Sequence, residues 1–203
     1  YRGMLRDSAP SPIRIRATGD GAVAWPPARF TLAMVFFEIV STPQEKLMLF
    51  KALAANATGT DVATAQPWFP SGGSVTVPGD TTYRMRGILR LSRSAGTTSH
   101  TLSLLFGGTA TLTSILYKAQ VSTGDVVTNG AENQTAIEVS TATVVKAAST
   151  SATEQVSIRI DGIVRINAAG TLIPQFIYSA APGGAPSILA NSFFELQPLG
   201  TGS

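Results

Sequence analysis

The chain has 203 residues, of which 44% are hydrophobic and only 13% are charged. That charged share is about half of the usual value for a globular protein, while the hydrophobic share is enough for a core. Lys and Arg exceed Asp and Glu by only 15 to 12, so we expect no nucleic-acid partner, because phosphate binding requires a basic patch. The absence of cysteine excludes disulfides, thiolate metal sites and cysteine nucleophiles.

With so few charges, the surface must consist mainly of Ser, Thr, Asn, Gln and Gly. A neutral polar surface is typical of subunits that bury much of their area against identical neighbours, because unpaired charges are costly to desolvate in an interface. All-β folds of roughly 200–250 residues commonly form one domain. The composition therefore favours one domain that assembles with copies of itself.

The first 29 residues show no hydrophobic period and contain an Arg-rich stretch that ends at Arg16. They also contain four prolines, Pro10, Pro12, Pro26 and Pro27. Such a segment is typical of an arm or linker. We therefore predict that residues 1–29 form an N-terminal arm that attaches to another protein, and that residues 30–203 form the folded domain.

Two apolar segments follow the predicted arm. The run Phe30–Val40 contains Glu38 and is shorter than the roughly 20 residues that cross a membrane, so no membrane insertion is expected. The segment Pro43–Ala55 leaves two alternatives open. Thr42 could cap a helix with Glu45 three residues later, but a short apolar run fits a strand equally well.

Downstream of these segments the hydrophobic period is two, which indicates half-buried β-strands. The alternation is clearest in Tyr83–Ser92, Thr98–Phe106 and Gln155–Ile166. Weaker runs occupy Ser74–Val77, Thr109–Val121, Thr135–Lys146, Leu172–Tyr178 and Ser192–Leu199. About eight strands joined by short polar turns predict an all-β protein, an antiparallel β-sandwich of jelly-roll-like type.

The inventory of acid–base groups does not predict an enzyme. His100 is the only histidine, and it lies in phase with Leu102, Leu104 and Phe106, so we interpret it as a core histidine with one satisfied hydrogen bond. The acids considered are scattered over different loops and strands: Asp61, Asp80, Asp125, Asp161, Glu132 and Glu138. Without clustered ligands we predict no metal and no cofactor, and a carboxylate pair across a subunit interface, through Asp161, is the one route left to catalysis.

Three aliphatic residues fall on strand faces that are otherwise polar. Ile88 lies among Arg84, Arg86 and Arg90, whereas Leu105 and Ile163 interrupt polar positions of two other strands. Such residues suggest a subunit interface, although singly exposed aliphatic side chains are also common. We therefore predict that Ile88, Leu105 or Ile163 is buried between subunits.

Four segments resemble domains of tailed-bacteriophage structural proteins. They are Trp68–Val77, Thr81–Leu91, Thr97–Leu112 and Phe193–Gly200, and the likeness covers roughly residues 52–203. In that group a strand of alternating Tyr and Leu leads into a Thr-rich strand that ends in Phe-Gly-Gly, and the last strand closes the domain near the C-terminus. The segment Phe30–Phe50 departs from the pattern.

The resemblance implies a jelly-roll-like sandwich that trimerises and is attached to a virion by its N-terminal part. The expected role is a fibre component of the phage particle that projects from it and contacts the host surface, with no catalytic residues. Two alternatives are a capsid decoration or head-fibre protein without a receptor role, and a lectin-like module. In the lectin alternative Trp68, Phe69 or Tyr178 would stack on the sugar rings of a host glycan.

Overall fold

The computed structural model describes residues 48–123 and 133–201, and these residues form thirteen β-strands in two antiparallel sheets. Within the described ranges no residue is helical, and so none forms a helix that could cross a membrane. The prediction of an all-β, antiparallel sandwich is confirmed. The predicted arm, residues 1–29, and residues 30–47 lie outside the described part of the chain.

The strands vary from two residues to fifteen, and the three longest lie side by side in the large sheet. Their bounds are β1 Leu49–Ala52, β2 Ala57–Thr58, β3 Gln66–Pro67, β4 Val75–Val77, β5 Thr81–Arg93, β6 His100–Gly108, β7 Thr111–Thr123, β8 Asn133–Ile137, β9 Thr143–Ser149, β10 Glu154–Ala168, β11 Gly170–Tyr178, β12 Ser187–Ile188 and β13 Phe193–Gly200.

The large sheet has the order β1-β13-β5-β10-β7-β8, and the short strand β12 pairs with both β2 and β5. The small sheet has the order β3-β11-β6-β9, and β4 also pairs with β11. Every pairing is antiparallel. Antiparallel sheets can bury one face and expose the other, which agrees with the period of two in the sequence.

The strand order defines a jelly roll. Numbered along the chain, the eight strands of the barrel-like core are β1, β4, β5, β6, β9, β10, β11 and β13. In one sheet the neighbours are the first, eighth, third and sixth of these strands, which are β1, β13, β5 and β10. In the other sheet they are the second, seventh, fourth and fifth, which are β4, β11, β6 and β9. This is the order of two Greek keys wound together. The two additional strands, β7 and β8, are inserted in the sequence between β6 and β9, and they extend the large sheet beyond β10.

The core lies between the sheets and is built from the inward residues of the alternating strands. Tyr83, Met85 and Leu89 of β5 are buried, as are Val164 and Ile158 of β10, which lie opposite Tyr83 and Leu89. The largest fully buried side chains are aromatic: Trp68, Tyr83, Tyr117, Phe176 and Phe194. Burial of each is worth about 1.5–3 kcal/mol, so the inward faces dominate the stability of the sandwich.

Gly87 interrupts the inward face of β5 for a steric reason. A Cβ atom at this position would lie 2.8 Å from Cζ3 of the Trp68 indole and 2.9 Å from the carbonyl oxygen of Phe193. The indole can therefore pack against β5 at this position only because residue 87 has no side chain. The alternation of Tyr83–Leu91 contains the glycine that makes room for the largest core ring.

The structure resolves one open alternative of local structure and revises one prediction. The part of Pro43–Ala55 that is described contains strand β1 rather than helix, so the strand alternative holds there. The run Thr135–Lys146 is not one strand, because β8 ends at Ile137 in the large sheet and β9 begins at Thr143 in the small sheet. A period of two is the same in both sheets, so the pattern does not reveal where the chain crosses between them.

Tyr117 of β7 provides a test of the packing. Its side chain is 1% exposed, it meets Phe106 edge to face at 5.4 Å, and its hydroxyl has no hydrogen-bond partner among the described residues. Burial raises the pKa of this hydroxyl. We expect Tyr117→Phe to leave the free energy of unfolding unchanged or to raise it by about 1 kcal/mol, because an unpaired buried hydroxyl is removed. Urea denaturation measures the change.

Ser192→Ala is the matched control for this prediction. The Ser192 hydroxyl is also buried, but it accepts a hydrogen bond from the Arg90 amide at 3.0 Å and donates one to the Leu189 carbonyl at 2.8 Å. Its removal is expected to cost about 1–2 kcal/mol. A loss of similar size in Tyr117→Phe would contradict the packing described here.

Candidate interaction surface

The outer face of the large sheet carries the side chains that alternate with the core positions. One residue from each of the six strands β1, β13, β5, β10, β7 and β8 lies directly opposite the next in the hydrogen-bonding register. In order across the sheet these residues are Phe50, Glu195, Arg86, Asp161, Lys118 and Ala136. We call this set the cross-strand row. Its ends are apolar, and its four central residues alternate in charge.

Ion pairs join three of the four central residues of the cross-strand row, Glu195, Arg86 and Asp161. Arg86 Nε lies 3.2 Å from Asp161 Oδ2, and Arg86 Nη1 lies 3.8 Å from Glu195 Oε1. Arg84, in the next outward position along β5, also contacts Asp161 Oδ2 at 3.2 Å. The side chains of the two arginines and Asp161 are between 41% and 44% exposed. Ion pairs so exposed are worth about 0–1 kcal/mol, so they contribute little to the stability of the subunit.

Apolar side chains lie beside the charges on the same face. Leu116, Ile163 and Leu199 are 51%, 48% and 48% exposed. Together with Arg84, Asp161 and other residues of the face they line a depression of about 600 Å³. Adjacent exposed aliphatic groups framed by polar side chains are typical of interaction sites. The outer face of the large sheet is therefore the candidate interaction surface.

The three residues predicted at a subunit interface do not all lie on this surface. Ile163 is on the outer face of β10 and is half exposed, and Ile88 is on the outer face of β5, partly covered, opposite Phe193 and Arg159. Leu105 belongs to β6, so it lies on the small sheet, on the other side of the sandwich. The structure brings Ile88 and Ile163 onto one face and separates Leu105 from them.

Leu116 and Leu199 are residues of the surface that the sequence interpretation missed. Leu116 lies between the buried residues Ile115 and Tyr117 of β7, so it occupies an outward position. That out-of-phase position is the same signal that singled out Ile88 and Ile163. Leu199 lies within a register shift of β13, between Pro198 and Gly200, and such an irregularity is not visible in the sequence.

The prediction that Trp68, Phe69 or Tyr178 stacks on sugar rings is wrong, because these rings are 1%, 3% and 4% exposed. Trp68 packs edge-on against Phe194 at 6.1 Å, and Tyr178 meets His100 edge-on at 5.1 Å. A stacking platform needs a ring face that a ligand can reach. These three aromatic residues instead fill the space between the sheets.

A buried ionic cluster forms between the sheets where β5, β6, β9 and β10 come together. Glu154 is its centre, since its Oε2 lies 2.7 Å from Arg93 Nη2 and 2.9 Å from His100 Nε2, while its Oε1 lies 2.8 Å from Lys146 Nζ. Arg93 and His100 are 1% exposed at the side chain and Glu154 is 10% exposed. The register of β5 and β10 places Arg93 directly opposite Glu154.

Other donors of the cluster bond to backbone carbonyls, while Arg93 Nε has no hydrogen-bond partner among the described residues. Arg93 donates to the carbonyls of Ala95, Gly96 and Ser151, the last two at 2.8 and 2.6 Å. His100 Nδ1 lies 2.7 Å from the Thr98 carbonyl. The arginine thereby ties together the loops that precede β6 and β10. His100 is a buried histidine with a satisfied hydrogen bond, as the sequence predicted.

Electrostatics keep Glu154 ionised. Burial alone raises the pKa of this carboxyl, but hydrogen bonds from Lys146, Ser149, Arg93 and His100 outweigh burial and lower the pKa to about 2. The space enclosed beside the cluster is about 10 Å³, which is enough for one water molecule and not for a substrate. The cluster therefore holds β5 and β10 of the large sheet to β6 and β9 of the small sheet.

Glu154 was not singled out from the sequence, and Arg93 was not recognised as its partner, although a signal existed. Arg93 continues the inward phase of Leu89 and Leu91, and Glu154 begins the inward phase of Val156. Two opposite charges, each at an inward-facing position of its strand, suggest a buried ion pair.

Across residues 48–123 and 133–201, no three His, Asp or Glu side chains come together as metal ligands.

Comparisons with known proteins give little similarity. No protein-family model matches the chain, and no curated protein matches it. A mutant VP2 protein of infectious bursal disease virus, in derived T=1 particles, is 10% identical with a TM-score of 0.17. A structure of the Gt strain of the same virus is 10% identical with a TM-score of 0.16.

In both cases the alignment covers 85% of this chain and 45% of the other. The chain thus spans less than half the length of these structures. At such TM-scores the likeness carries no argument about this chain.

Proposed function

We propose that the chain is a structural protein of a virus particle, a jelly-roll domain that assembles with copies of itself. The observation that carries the proposal is the exposed outer face of the large sheet, where apolar side chains accompany an alternating row of charges on a jelly-roll scaffold. Jelly rolls occur in capsid proteins and in lectins, so the fold by itself supports either role only by analogy. The character of the surface supports the first of these two uses.

Two properties support the structural role over the lectin role. Only 13% of the residues are charged, which suits subunits that bury much of their surface in contacts between copies. The three rings that motivated sugar stacking, Trp68, Phe69 and Tyr178, are buried. A capsid decoration protein without a receptor role shares the first property.

The finer part of the proposal rests on the sequence resemblance to tailed-bacteriophage proteins. In this finer proposal the chain is a homotrimeric fibre component. Residues 1–29 attach it to other virion proteins, and the rest projects from the particle and contacts a host-surface glycan. No catalysis is proposed. His100 and Glu154, the natural acid–base candidates, are buried and bonded to each other, and the Asp161 carboxylate is paired with Arg84 and Arg86.

Fractionation of particles tests the proposal. Particles from the culture that produces the protein are banded in a density gradient, and each fraction is analysed by peptide mass spectrometry. We expect peptides of this chain to follow the particles and to remain after a high-salt wash. Recovery only in the soluble cell fraction would contradict a structural role in the particle.

Host contact is tested separately, so that the two parts of the proposal can fail independently. The purified full chain is incubated with host cells and with their isolated surface polysaccharide. Binding to both, with no release of new reducing ends, is expected for a non-enzymatic receptor-contacting fibre. Particle association without binding would instead favour the decoration alternative.

A further inference from the structure

The cross-strand row has a pattern that is complementary to itself when reversed. Read from β1 to β8 it is apolar, negative, positive, negative, positive, apolar. Read from β8 to β1 it is apolar, positive, negative, positive, negative, apolar. Every charge in one direction meets the opposite charge in the other, and the two apolar ends meet each other. Six positions drawn from six strands share this property.

We infer that copies of this chain associate through the outer face of the large sheet. The axis that relates the copies runs parallel to the strands and lies outside this face, above the gap between β5 and β10. The inference rests on the self-association in the proposed function and names the surface that performs it. About such an axis, a side chain on the β5 side of one copy faces a side chain on the β10 side of the next copy. The two side chains lie equally far from the axis.

This axis brings opposite charges together at every central position. Arg86 faces the partner's Asp161, and Glu195 faces the partner's Lys118. At the ends Phe50, which is 53% exposed and stacks on Phe193, faces the partner's Ala136. An axis perpendicular to the strands would place each residue against its own copy, so that like charges would meet, which disfavours that arrangement.

The neighbouring row supplies apolar contact for the same axis. Ile163 on β10 lies opposite Arg84 on β5 and Leu116 on β7. About the proposed axis Ile163 faces the partner's Arg84, whose aliphatic stem can cover it while the guanidinium remains at Asp161. The depression of about 600 Å³ that these residues line is the space that the partner's side chains enter.

Lys118 gives the inference its sharpest test. It is exposed and makes no ion pair with the described residues, whereas Glu195 is paired only at 3.8 Å with Arg86. Within one chain the two residues are three strand spacings apart, roughly 14 Å, so they do not contact each other. A functional interaction between residues 118 and 195 therefore reports a contact between copies.

The experiment measures the mass of the full chain by mass photometry and light scattering over nanomolar to micromolar concentrations. We expect two or three times the chain mass of 21.1 kDa. Lys118→Glu and Glu195→Lys are each expected to weaken association at least about 100-fold, because like charges then face each other between copies. The double variant is expected to recover the wild-type assembly, since the reversed charges match again.

Controls separate the interface from folding and from the proposed function. Ile163→Glu is expected to yield monomer, while Val144→Glu, a change at an equally exposed aliphatic residue of the small sheet, is expected to leave the assembly intact. Circular dichroism verifies that each variant keeps its β-structure. In the double variant residue 118 would repel Asp161 within its own chain, so recovery cannot come from a contact inside one subunit.

Three results would overturn the inference. The double variant could stay as weak as the single ones, or Val144→Glu could dissociate the assembly while Ile163→Glu does not. A wild-type chain that remains monomeric at micromolar concentration would also exclude it. In that last case the density-gradient fractionation still decides on the virion role, so the two failures are distinguished.

Discussion

Glu154→Gln is expected to lower the free energy of unfolding by about 3 kcal/mol. The substitution keeps the shape of the side chain but removes the anion that faces Arg93, His100 and Lys146. Arg93 is 1% exposed at its side chain, so its charge would remain buried without a carboxylate partner. Removing one partner of a buried ion pair is costly because the other charge stays desolvated. Urea or thermal denaturation of the two proteins measures the difference.

Glu138→Gln is the matched control for this substitution. Glu138 is exposed, and it lies between β8 and β9. The same chemical change there is expected to alter stability by less than about 0.5 kcal/mol. If the two variants were equally stable, the ionic cluster would have no role in holding the sheets together.

The same carboxylate predicts a pH dependence with a definite sign. The pKa of Glu154 is lowered from 4.5 to about 2 in the folded chain. Its stabilising contribution is therefore fully present above pH 4.5 and is lost as the pH falls toward 2. We expect the difference in melting temperature between the wild type and Glu154→Gln to shrink over this window. A difference that stays constant down to the acid end would contradict the assignment.

Trp68→Ala is expected to cost about 3–5 kcal/mol, among the largest effects of a single substitution in this fold. The indole is 1% exposed, packs edge-on against Phe194 and fills the space left by Gly87. Its Nε1 has no hydrogen-bond partner among the described residues, so the loss is one of packing. Val139→Ala, at a residue 48% exposed, serves as the control and should cost under about 0.5 kcal/mol.

Trp68→Ala also separates a core role from a ligand role. A stacking platform would lose glycan binding while the chain kept its stability. The structure predicts the reverse, with any change in binding following from unfolding and reproduced by another core truncation such as Phe194→Ala. A fully stable Trp68→Ala that had lost only glycan binding would restore the lectin alternative.

The sequence predicted the architecture because the inward faces of long strands alternate cleanly. Tyr83–Ser92 and Gln155–Ile166 became β5 and β10, with the predicted apolar residues facing the core. Short strands fared less well. The boundary between β8 and β9 lies inside one predicted run, because a crossing from one sheet to the other leaves no mark in a period of two.

The sites could be predicted only in part, because they depend on long-range register. Arg93 and Glu154 are 61 positions apart in the chain, and their contact exists because β5 and β10 pair in one particular register. The cross-strand row likewise takes one residue from each of six strands. Ile163 could be noticed from its own strand alone, whereas the alternation of charge around it becomes visible only when the strands are placed side by side.

The central claim, that this chain is a structural component of a virus particle, is tested most directly by cryo-electron microscopy of purified particles. We expect symmetric density on the particle into which copies of the jelly roll fit with the large sheets facing each other around a common axis parallel to their strands. A complete map of the particle in which every density is accounted for by other proteins would contradict the claim.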